Sequence, residues 1–253
     1  MLSVKQTINM KKAKLISQVN PLILKGVAHR GLWNEKVSEN SLEAFRLAIK
    51  NNVAIELDIH LTKDGDLVVI HDEKLERLTG KLGIVEHLTT KELQENFKLL
   101  DGQTIPRFEE VLELVNEQVP ILVELKVYEK NYKPLAAKAE EVLSKYIKDK
   151  KNIVLISFDP RSLWPFKGKG YIRLLLVAKS DEYTFTWFRN TVEGLDVEKV
   201  LFEEKRVRRF GKKHFMNCWT IQSKEDIEKV LPYADTITFD TVKLDVVKET
   251  FIK

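Results

Sequence analysis

Short runs of β-branched and aliphatic residues alternate with stretches of helical spacing along almost all of the 253-residue chain. Residues 42–49 and 108–115, for example, have apolar side chains three and four positions apart. Strands that alternate with helices form right-handed units and a parallel sheet. We count eight units if the two runs within 54–71 form one unit with an extension. This count and this length predict an α/β protein of the TIM-type (β/α)₈ barrel class.

The predicted strands are apolar runs that end at turns or polar residues. They lie at residues 27–28, 53–60, 67–70, 121–124, 153–158, 172–177, 200–202, 216–220 and 235–240. We expect a single catalytic barrel domain over residues 1–253, with residues 1–25 as an N-terminal cap. Residues 72–104 are predicted to be a short insertion after the second strand region, because they are irregular and contain three glycines.

Composition and charge limit the possible partners. The chain is 43% hydrophobic and 32% charged, as is usual for a globular protein. Its net charge of +4 is too small to indicate nucleic-acid binding. Cys218 is the single cysteine, which favours a reducing compartment. Because no run reaches the length of a signal peptide or a membrane span, we expect a cytoplasmic protein without stable membrane insertion.

Charged side chains at the ends of the apolar runs indicate a polar site. Such groups are costly at buried strand ends unless they are paired or bind an ion. In a (β/α)₈ barrel, the carboxyl ends of all strands meet at one face. Glu56 and Asp58 are two residues apart on one predicted strand and therefore face the same side. The full set of candidates is His29, Arg30, Glu56, Asp58, His71, Glu124 and Lys126.

The residue types in this set suggest metal-assisted chemistry on a phosphate ester. Three carboxylates suit a hard divalent cation such as Mg²⁺ or Ca²⁺, which neutralises phosphate charge. Arg30 and Lys126 can hold the remaining phosphate oxygens. His29 and His71 are candidates for acid–base catalysis because an imidazole exchanges protons near pH 7.

The same residues lie in segments that resemble the glycerophosphodiester phosphodiesterases. The segments are VAHRG (27–31), ENSLEAF (39–45) and IELDIHLTKDGDLVVIHD (55–72). The resemblance continues through LTGKLGIVEHLTTKEL, IPRFEEVLELV, VELK, SFDP and CWTI, so that it spans roughly residues 25–240.

This resemblance implies a TIM-type barrel that uses a divalent metal to hydrolyse glycerophosphodiesters to sn-glycerol 3-phosphate and an alcohol. By position, the implied metal ligands are Glu56, Asp58 and Glu124, and the implied catalytic residues are His29 and His71. The resemblance further implies that Arg30 and Lys126 contact phosphate and that Trp219 lines the pocket.

Three positions depart from the family pattern. Leu32-Trp33-Asn34 follows the first motif where small residues are frequent, and Ser41 replaces the usual threonine. Phe239-Asp240-Thr241 lacks the usual Thr-Asp and the proline after it. The first and third changes concern the mouth of the pocket, so the accepted alcohol group stays open.

Two other functions are compatible with the sequence. Leu32, Trp33 and Trp187 could form an apolar approach for a phospholipase D-like enzyme that acts on lysophospholipids. A catalytically silent phosphate-binding barrel is the second alternative, but it would be expected to lack a histidine or a carboxylate of the set.

Three residues also have simpler interpretations. Lys126 could serve only to pair with Glu124, and Trp219 could be a core aromatic residue. We favour either a role in supporting the site residues or a purely structural role for His60, although it shares a strand face with Asp58.

Overall fold

Eight parallel strands form a nearly closed barrel, as predicted. The computed structural model describes residues 9–179, 186–240, 242 and 244–251. The parallel strands are β1 (Val27–Ala28), β2 (Ala54–Leu61), β4 (Ile121–Leu125), β5 (Ile153–Ser157), β6 (Ile172–Val177), β7 (Gly194–Glu198), β8 (Phe215–Trp219) and β9 (Thr238–Phe239). Strand β3 (Leu67–Val69) pairs antiparallel with the outer part of β2.

The strands follow the order β8-β7-β6-β5-β4-β2-β1-β9 around the barrel. The ring closes between β8 and β9, where Ile221 forms a parallel bridge with Phe239. In addition, the Asp235 N–H donates to the Met216 carbonyl at 2.8 Å. In this ring, β7 is the fourth neighbour of β2 in both directions, so these two strands face each other across the barrel.

Helices surround the barrel. They are α1 (Met10–Ile16), α2 (Leu42–Lys50), α3 (Glu76–Thr79), α4 (Thr90–Asn96), α5 (Phe108–Val115), α6 (Tyr132–Tyr146), α7 (Pro160–Leu163), α8 (Lys205–Gly211), α9 (Lys224–Val230) and α10 (Leu244–Phe251). Short 3₁₀ helices lie at Ile23–Lys25, Val85–His87, Lys150–Asn152, Trp164–Phe166 and Lys199–Glu203. Ser41 caps α2 because its hydroxyl accepts from the Ala44 N–H.

Alternation along each strand separates the outer core from the barrel interior. On β2, Ile55, Leu57 and Ile59 belong to the outer core that packs against the helices. Ala54, of opposite parity, belongs to the inner core together with Leu122 and Phe215. Glu56 and Asp58 share the parity of Ala54, and Glu124 shares that of Leu122, so the three carboxylates point into the barrel.

Residues before the first strand close the opposite end of the barrel. Leu15, Val19 and Ile23 are buried against the inner core. The interior is therefore apolar at this amino end, and the site lies at the carboxyl end of the strands.

The segment 72–104 after β3 forms a small lobe with its own core. It contains α3 and α4, and Leu75, Leu93 and Phe97 pack against Val68 and Ile70 of the preceding strand region. This packing fixes the chain on both sides of His71.

The strand predicted at residues 200–202 is wrong. These residues lie in the 3₁₀ helix Lys199–Glu203, and the strand comes earlier as β7. The reason is the polarity of the barrel interior: Gly194, Asp196 and Glu198 alternate with apolar residues, so β7 has no continuous apolar run. Within the described residues, no helix combines the length and the apolar character needed to cross a membrane.

Candidate active site

Three buried carboxylates converge at the carboxyl end of β2 and β4. Asp58 and Glu124 are direct partners in the register of the two strands, and Glu56 lies one inward position below Asp58. One oxygen from each side chain lies within 4.8 Å of the others. The exposed fractions are 3% for Glu56, 1% for Asp58 and 7% for Glu124.

Burial and mutual repulsion disfavour three negative charges in this cluster. Burial, together with Asp58 and Glu124, raises the pKa of Glu56 well above its usual value. Burial also raises the pKa of Glu124 to about 7, against the effect of Lys126. The pKa of Asp58 is lowered: burial alone would raise it, but Lys126, His71 and Arg30 together outweigh that effect.

The donor set fits a divalent cation. The cluster offers carboxylate oxygens, which Mg²⁺ and Ca²⁺ prefer. Asp58 Oδ1 is buried and has no hydrogen-bond partner among the described residues. A cation placed among these oxygens would remove the repulsion that raises the pKa values of Glu56 and Glu124.

Lys126 lies directly beside the cluster. Its Nζ is 3.0 Å from Glu124 Oε1 and 3.6 Å from Asp58 Oδ1. Burial alone would lower the pKa of Lys126, but these carboxylates raise it, so the ammonium stays charged. Lys126 therefore does pair with Glu124, as its simpler interpretation required. It also lines a groove that leads to the cluster.

Arg30 is held by a special backbone conformation. Its φ is 59°, in the left-handed region, and its N–H donates to Glu56 Oε2 at 2.9 Å. Its Nη1 donates to Glu39 Oε1 at 2.6 Å, and its Nε lies 3.7 Å from Asp58 Oδ2. A non-glycine residue in this region carries a conformational cost, which these carboxylate contacts offset.

The two histidines face the cluster from different segments. His71 Nδ1 lies 2.6 Å from Asp72 Oδ1. Burial, with Lys126 and Arg30, lowers the pKa of His71, although Asp58 and Asp72 act in the opposite direction. His29 Nδ1 lies 3.7 Å from Asp240 Oδ2.

An inner cavity of about 80 Å³ lies between these groups. Six of the predicted site residues line it: His29, Arg30, Glu56, His71, Glu124 and Trp219. Trp219 thus borders the cavity, while its Nε1–H donates to the Asp196 carbonyl at 3.1 Å. An outer groove of about 930 Å³ shares His71, Glu124 and Phe158 with the inner cavity.

A network of carboxylates and arginines around Glu39 was missed in the sequence. Arg77 of α3 donates to Glu39 Oε1 at 2.8 Å and to Asp72 Oδ2 at 2.6 Å. Glu39 also accepts from Arg30, and Asp72 contacts His71. One guanidinium therefore links the carboxylate that holds Arg30 to the carboxylate that holds His71. The only sequence signal was the adjacency of Asp72 to His71.

His60 lines the outer groove and contacts both the lobe 72–104 and the backbone of His71. Its Nδ1 lies 2.5 Å from Glu86 Oε1, and its Nε2 is 3.1 Å from the His71 carbonyl oxygen. It thereby ties the lobe 72–104 to β2 and holds the backbone of His71.

Fold and site together define a TIM-barrel protein with a buried acidic cluster, two histidines and two cationic side chains, Arg30 and Lys126, at the carboxyl ends of its strands. The sequence profile of the Glycerophosphoryl diester phosphodiesterase family matches residues 29–243. The chain belongs to this enzyme family, as the motifs predicted.

Similar proteins agree with this assignment. A glycerophosphodiester phosphodiesterase of Caldanaerobacter subterraneus subsp. tengcongensis is 30% identical over 224 residues, which cover 81% of this chain and 88% of that protein. A putative glycerophosphodiester phosphodiesterase of Bacillus subtilis is 40% identical over 107 residues, but the match spans only 44% of its length and 40% of this chain.

Solved structures share the fold. The glycerophosphodiester phosphodiesterase of Thermotoga maritima has a TM-score of 0.71 and 30% identity, and the match covers 88% of this chain and 95% of that one. A phosphodiesterase of Oleispira antarctica, solved with its product sn-glycerol-3-phosphate, has a TM-score of 0.78 at 22% identity, with coverages of 88% and 94%.

Proposed function

We propose that this protein hydrolyses glycerophosphodiesters to sn-glycerol 3-phosphate and an alcohol. The observation that carries the proposal is the meeting of a buried acidic cluster and two imidazoles at one cavity. Membership of the family and the names of the similar proteins support the same substrate class. A catalytically silent barrel would be expected to lack a histidine or a carboxylate of this site.

Glu56, Asp58 and Glu124 are the proposed ligands of a divalent cation, Mg²⁺ or Ca²⁺. When bound, such a cation supplies charge neutralisation and polarisation of the phosphate group. Arg30 and Lys126 would contact the phosphate oxygens and orient the diester. We propose Trp219 as a wall of the cavity against which the substrate packs.

His29 and His71 are the proposed acid–base pair. Asp72 accepts from His71 Nδ1–H, which leaves Nε2 as the atom that takes or gives a proton. One imidazole accepts the proton of the attacking oxygen, and the other protonates the departing alcohol. Attack by water gives sn-glycerol 3-phosphate directly, whereas attack by the glycerol hydroxyl gives a cyclic phosphate that water must then open. Burial, together with Lys126 and Arg30, lowers the pKa of His71 and so favours the neutral imidazole.

Hydrolysis of glycerophosphocholine and glycerophosphoethanolamine tests the proposal. We expect release of sn-glycerol 3-phosphate with Mg²⁺ or Ca²⁺ and none with chelator. His29→Ala and His71→Ala should each lower kcat by about 10²–10⁴-fold. His214→Ala, a histidine outside both cavities, is the matched control. Failure of the wild-type protein to hydrolyse any diester, with each ion supplied, would contradict the proposal.

One observation favours a second candidate, hydrolysis of lysophospholipids. Phe158 and Phe188 line the outer groove, and the neighbouring Trp187 is 75% exposed. A human protein named lysophospholipase D is 34% identical over 135 residues, 48% of this chain and 41% of that protein. Release of a lysolipid phosphate from lysophosphatidylcholine, compared with release of glycerol 3-phosphate, separates the two candidates.

Three expectations stay predictions from the sequence. They are the cytoplasmic location, the absence of nucleic-acid partners, and the single domain over residues 1–253 with its cap and insertion.

A further inference from the structure

A buried carboxyl that belongs to none of the motifs lines the inner cavity. Asp196 lies in the middle of β7 and points inward, because Leu195 and Val197 on either side of it belong to the outer core. Its side chain is 1% exposed, and it borders the same cavity as Glu56 and Glu124. Since β7 faces β2 across the barrel, the cavity lies between the acidic cluster and Asp196.

The hydrogen-bonding capacity of this wall is only partly used. Asp196 lies beside Asn217, its partner in the register of β7 and β8, and Asp196 Oδ1 has no hydrogen-bond partner among the described residues. Asn217 Oδ1 is likewise buried and unpartnered. The Asn217 amide donates to Thr238 Oγ1 at 2.8 Å, and Thr238 lines the cavity on β9. Buried acceptors without donors are costly and rare, so they indicate a ligand.

The chemistry of this wall distinguishes the two ends of a phosphodiester's glycerol group. Phosphate oxygens are anionic acceptors, which match Arg30 in the wall of the inner cavity and Lys126 beside the acidic cluster. Hydroxyl groups both donate and accept hydrogen bonds, so they match the unpartnered oxygen of Asp196 whether its carboxyl is ionised or protonated. A small polyol that reaches across the cavity from the acidic cluster therefore presents its hydroxyls to Asp196 on β7.

We propose that Asp196, supported by Asn217, forms a hydroxyl-binding subsite that selects phosphate esters of a small polyol. This inference rests on the proposed function for the identity of the polyol as glycerol. It also assigns the two spaces: the inner cavity holds the polyol phosphate, and the larger outer groove holds the departing alcohol.

Ligand pairs that differ only in hydroxyl groups test the subsite. Calorimetry with Mg²⁺ present compares sn-glycerol 3-phosphate with n-propyl phosphate. We expect the wild-type protein to bind the glycerol ester about 10- to 100-fold more tightly, as the loss of one or two hydrogen bonds to buried groups implies. In Asp196→Leu the glycerol ester should bind more weakly, while binding of n-propyl phosphate stays nearly unchanged. The preference for the glycerol ester should therefore fall to within about 2-fold.

Two further variants make the result decisive. Asp196→Ala also lacks the polar atoms and replaces the leucine variant if that one does not fold. Asp235→Asn is the matched control: Asp235 is also largely buried with a pKa raised by burial, but it pairs with Lys12 outside the cavity. The control should keep the wild-type preference.

Parallel hydrolysis assays with glycerophosphocholine and n-propyl phosphocholine separate the subsite from the reaction. An intact preference in both Asp196 variants, in binding and in kcat/KM, would overturn the subsite even if the wild-type enzyme is active. An equal loss of affinity for both phosphate esters would also overturn the subsite, since it would indicate that Asp196 has only a structural role. Loss of the binding preference in a protein that hydrolyses neither diester would support the subsite and refute the proposed reaction.

Discussion

Single residues at this site depend on partners that do not reach the cavity themselves. Arg77 is half exposed in the lobe 72–104, yet it donates hydrogen bonds to Glu39 and Asp72 from two edges of its guanidinium. Those two carboxylates hold Arg30 and His71. Because Arg77 is planar and donates in two directions, it fixes the relative positions of a proposed phosphate ligand and a proposed proton carrier.

Replacement of Arg77 should therefore reduce turnover more than stability. We expect Arg77→Gln to lower kcat by about 10- to 100-fold, because a misplaced reacting group is costly in rate. Arg77→Lys should recover only part of the loss, since an ammonium cannot bridge two carboxylates in the same plane. Steady-state kinetics with glycerophosphocholine gives kcat and KM separately.

Arg46→Gln is the control for the Arg77 variants. Arg46 is exposed on α2 and forms an ordinary i,i+3 pair with Glu43, so its loss should leave kcat unchanged. If Arg77→Gln turned over as fast as Arg46→Gln, the link between Glu39 and Asp72 would have no role in the reaction.

The buried carboxyl of Asp196 should make the stability of the protein depend on pH. Burial, with a smaller effect of Glu124, raises the pKa of Asp196 to about 8. The folded state thus binds this proton more tightly than the unfolded chain, whose aspartate pKa is about 4. The resulting stabilisation is complete below pH 4 and is lost as the pH rises through 8.

Asp196→Asn cannot ionise and should remove this dependence. We expect the variant to exceed the wild type in free energy of unfolding by about 5 kcal/mol at pH 8, with little difference at pH 4. Urea denaturation in chelator from pH 4 to 9 measures it. Asp226→Asn should show the opposite sign, because Lys199 outweighs burial and lowers the pKa of Asp226. If the free energy of unfolding changed with pH in the same way in Asp196→Asn and in the wild type, the raised pKa of Asp196 would be refuted.

At the scale of elements, the turn after β1 shows why the His-Arg-Gly motif needs glycine. Gly31 has φ 82°, and a Cβ there would lie 2.9 Å from the Ala44 Cβ. The close approach lets α2 pack against the turn, and the Leu32 N–H donates to the Ala44 carbonyl at 3.1 Å. The helix thereby holds Arg30 in its left-handed conformation above Glu56.

Gly31→Ala should destabilise the protein by about 2–4 kcal/mol, since a left-handed φ and a steric overlap add. Gly65→Ala separates the two effects: Gly65 has nearly the same φ, 81°, but nothing lies within 4 Å of an added Cβ. We expect a loss of only about 1 kcal/mol there. Equal losses in thermal or urea unfolding would show that the contact with Ala44 is unimportant.

At the scale of the whole molecule, cation binding and folding should be coupled. The acidic cluster joins β2 to β4 and exists only in the folded barrel. A ligand that binds only the folded state stabilises it, by about 2.7 kcal/mol at a hundredfold excess over Kd. For a chain of this size, we expect Mg²⁺ or Ca²⁺ to raise Tm by several degrees.

Glu124→Gln should abolish this ion-dependent rise in Tm, because it removes one proposed ligand. It should not lower Tm in chelator, because burial already raises the pKa of Glu124 to about 7. Glu129→Gln, an acidic residue of the outer groove, should keep the full response to the ion. A Tm that ignores both ions in the wild-type protein would contradict the proposed cation site.

The barrel class and most of the site were predictable from short stretches of sequence. Periodicity identified the helices and strands, and the two-residue spacing of Glu56 and Asp58 placed both on one face. The same logic failed at β7, because its inward positions are polar and the apolar run Val200-Leu201-Phe202 forms a 3₁₀ helix on the outside. Asp196 was overlooked for that reason.

What the sequence by itself determined is local: which segments extend or coil, which side of a strand each residue occupies, and which motifs place histidines and carboxylates at strand ends. The tertiary structure alone decided the distances between segments. The register of β2 against β4 places Glu124 beside Asp58, the closure of the ring sets Asp196 opposite Glu56, and the path of the lobe carries Arg77 to Glu39. No local pattern contains this information, because register, closure and lobe path depend on the packing of the whole barrel.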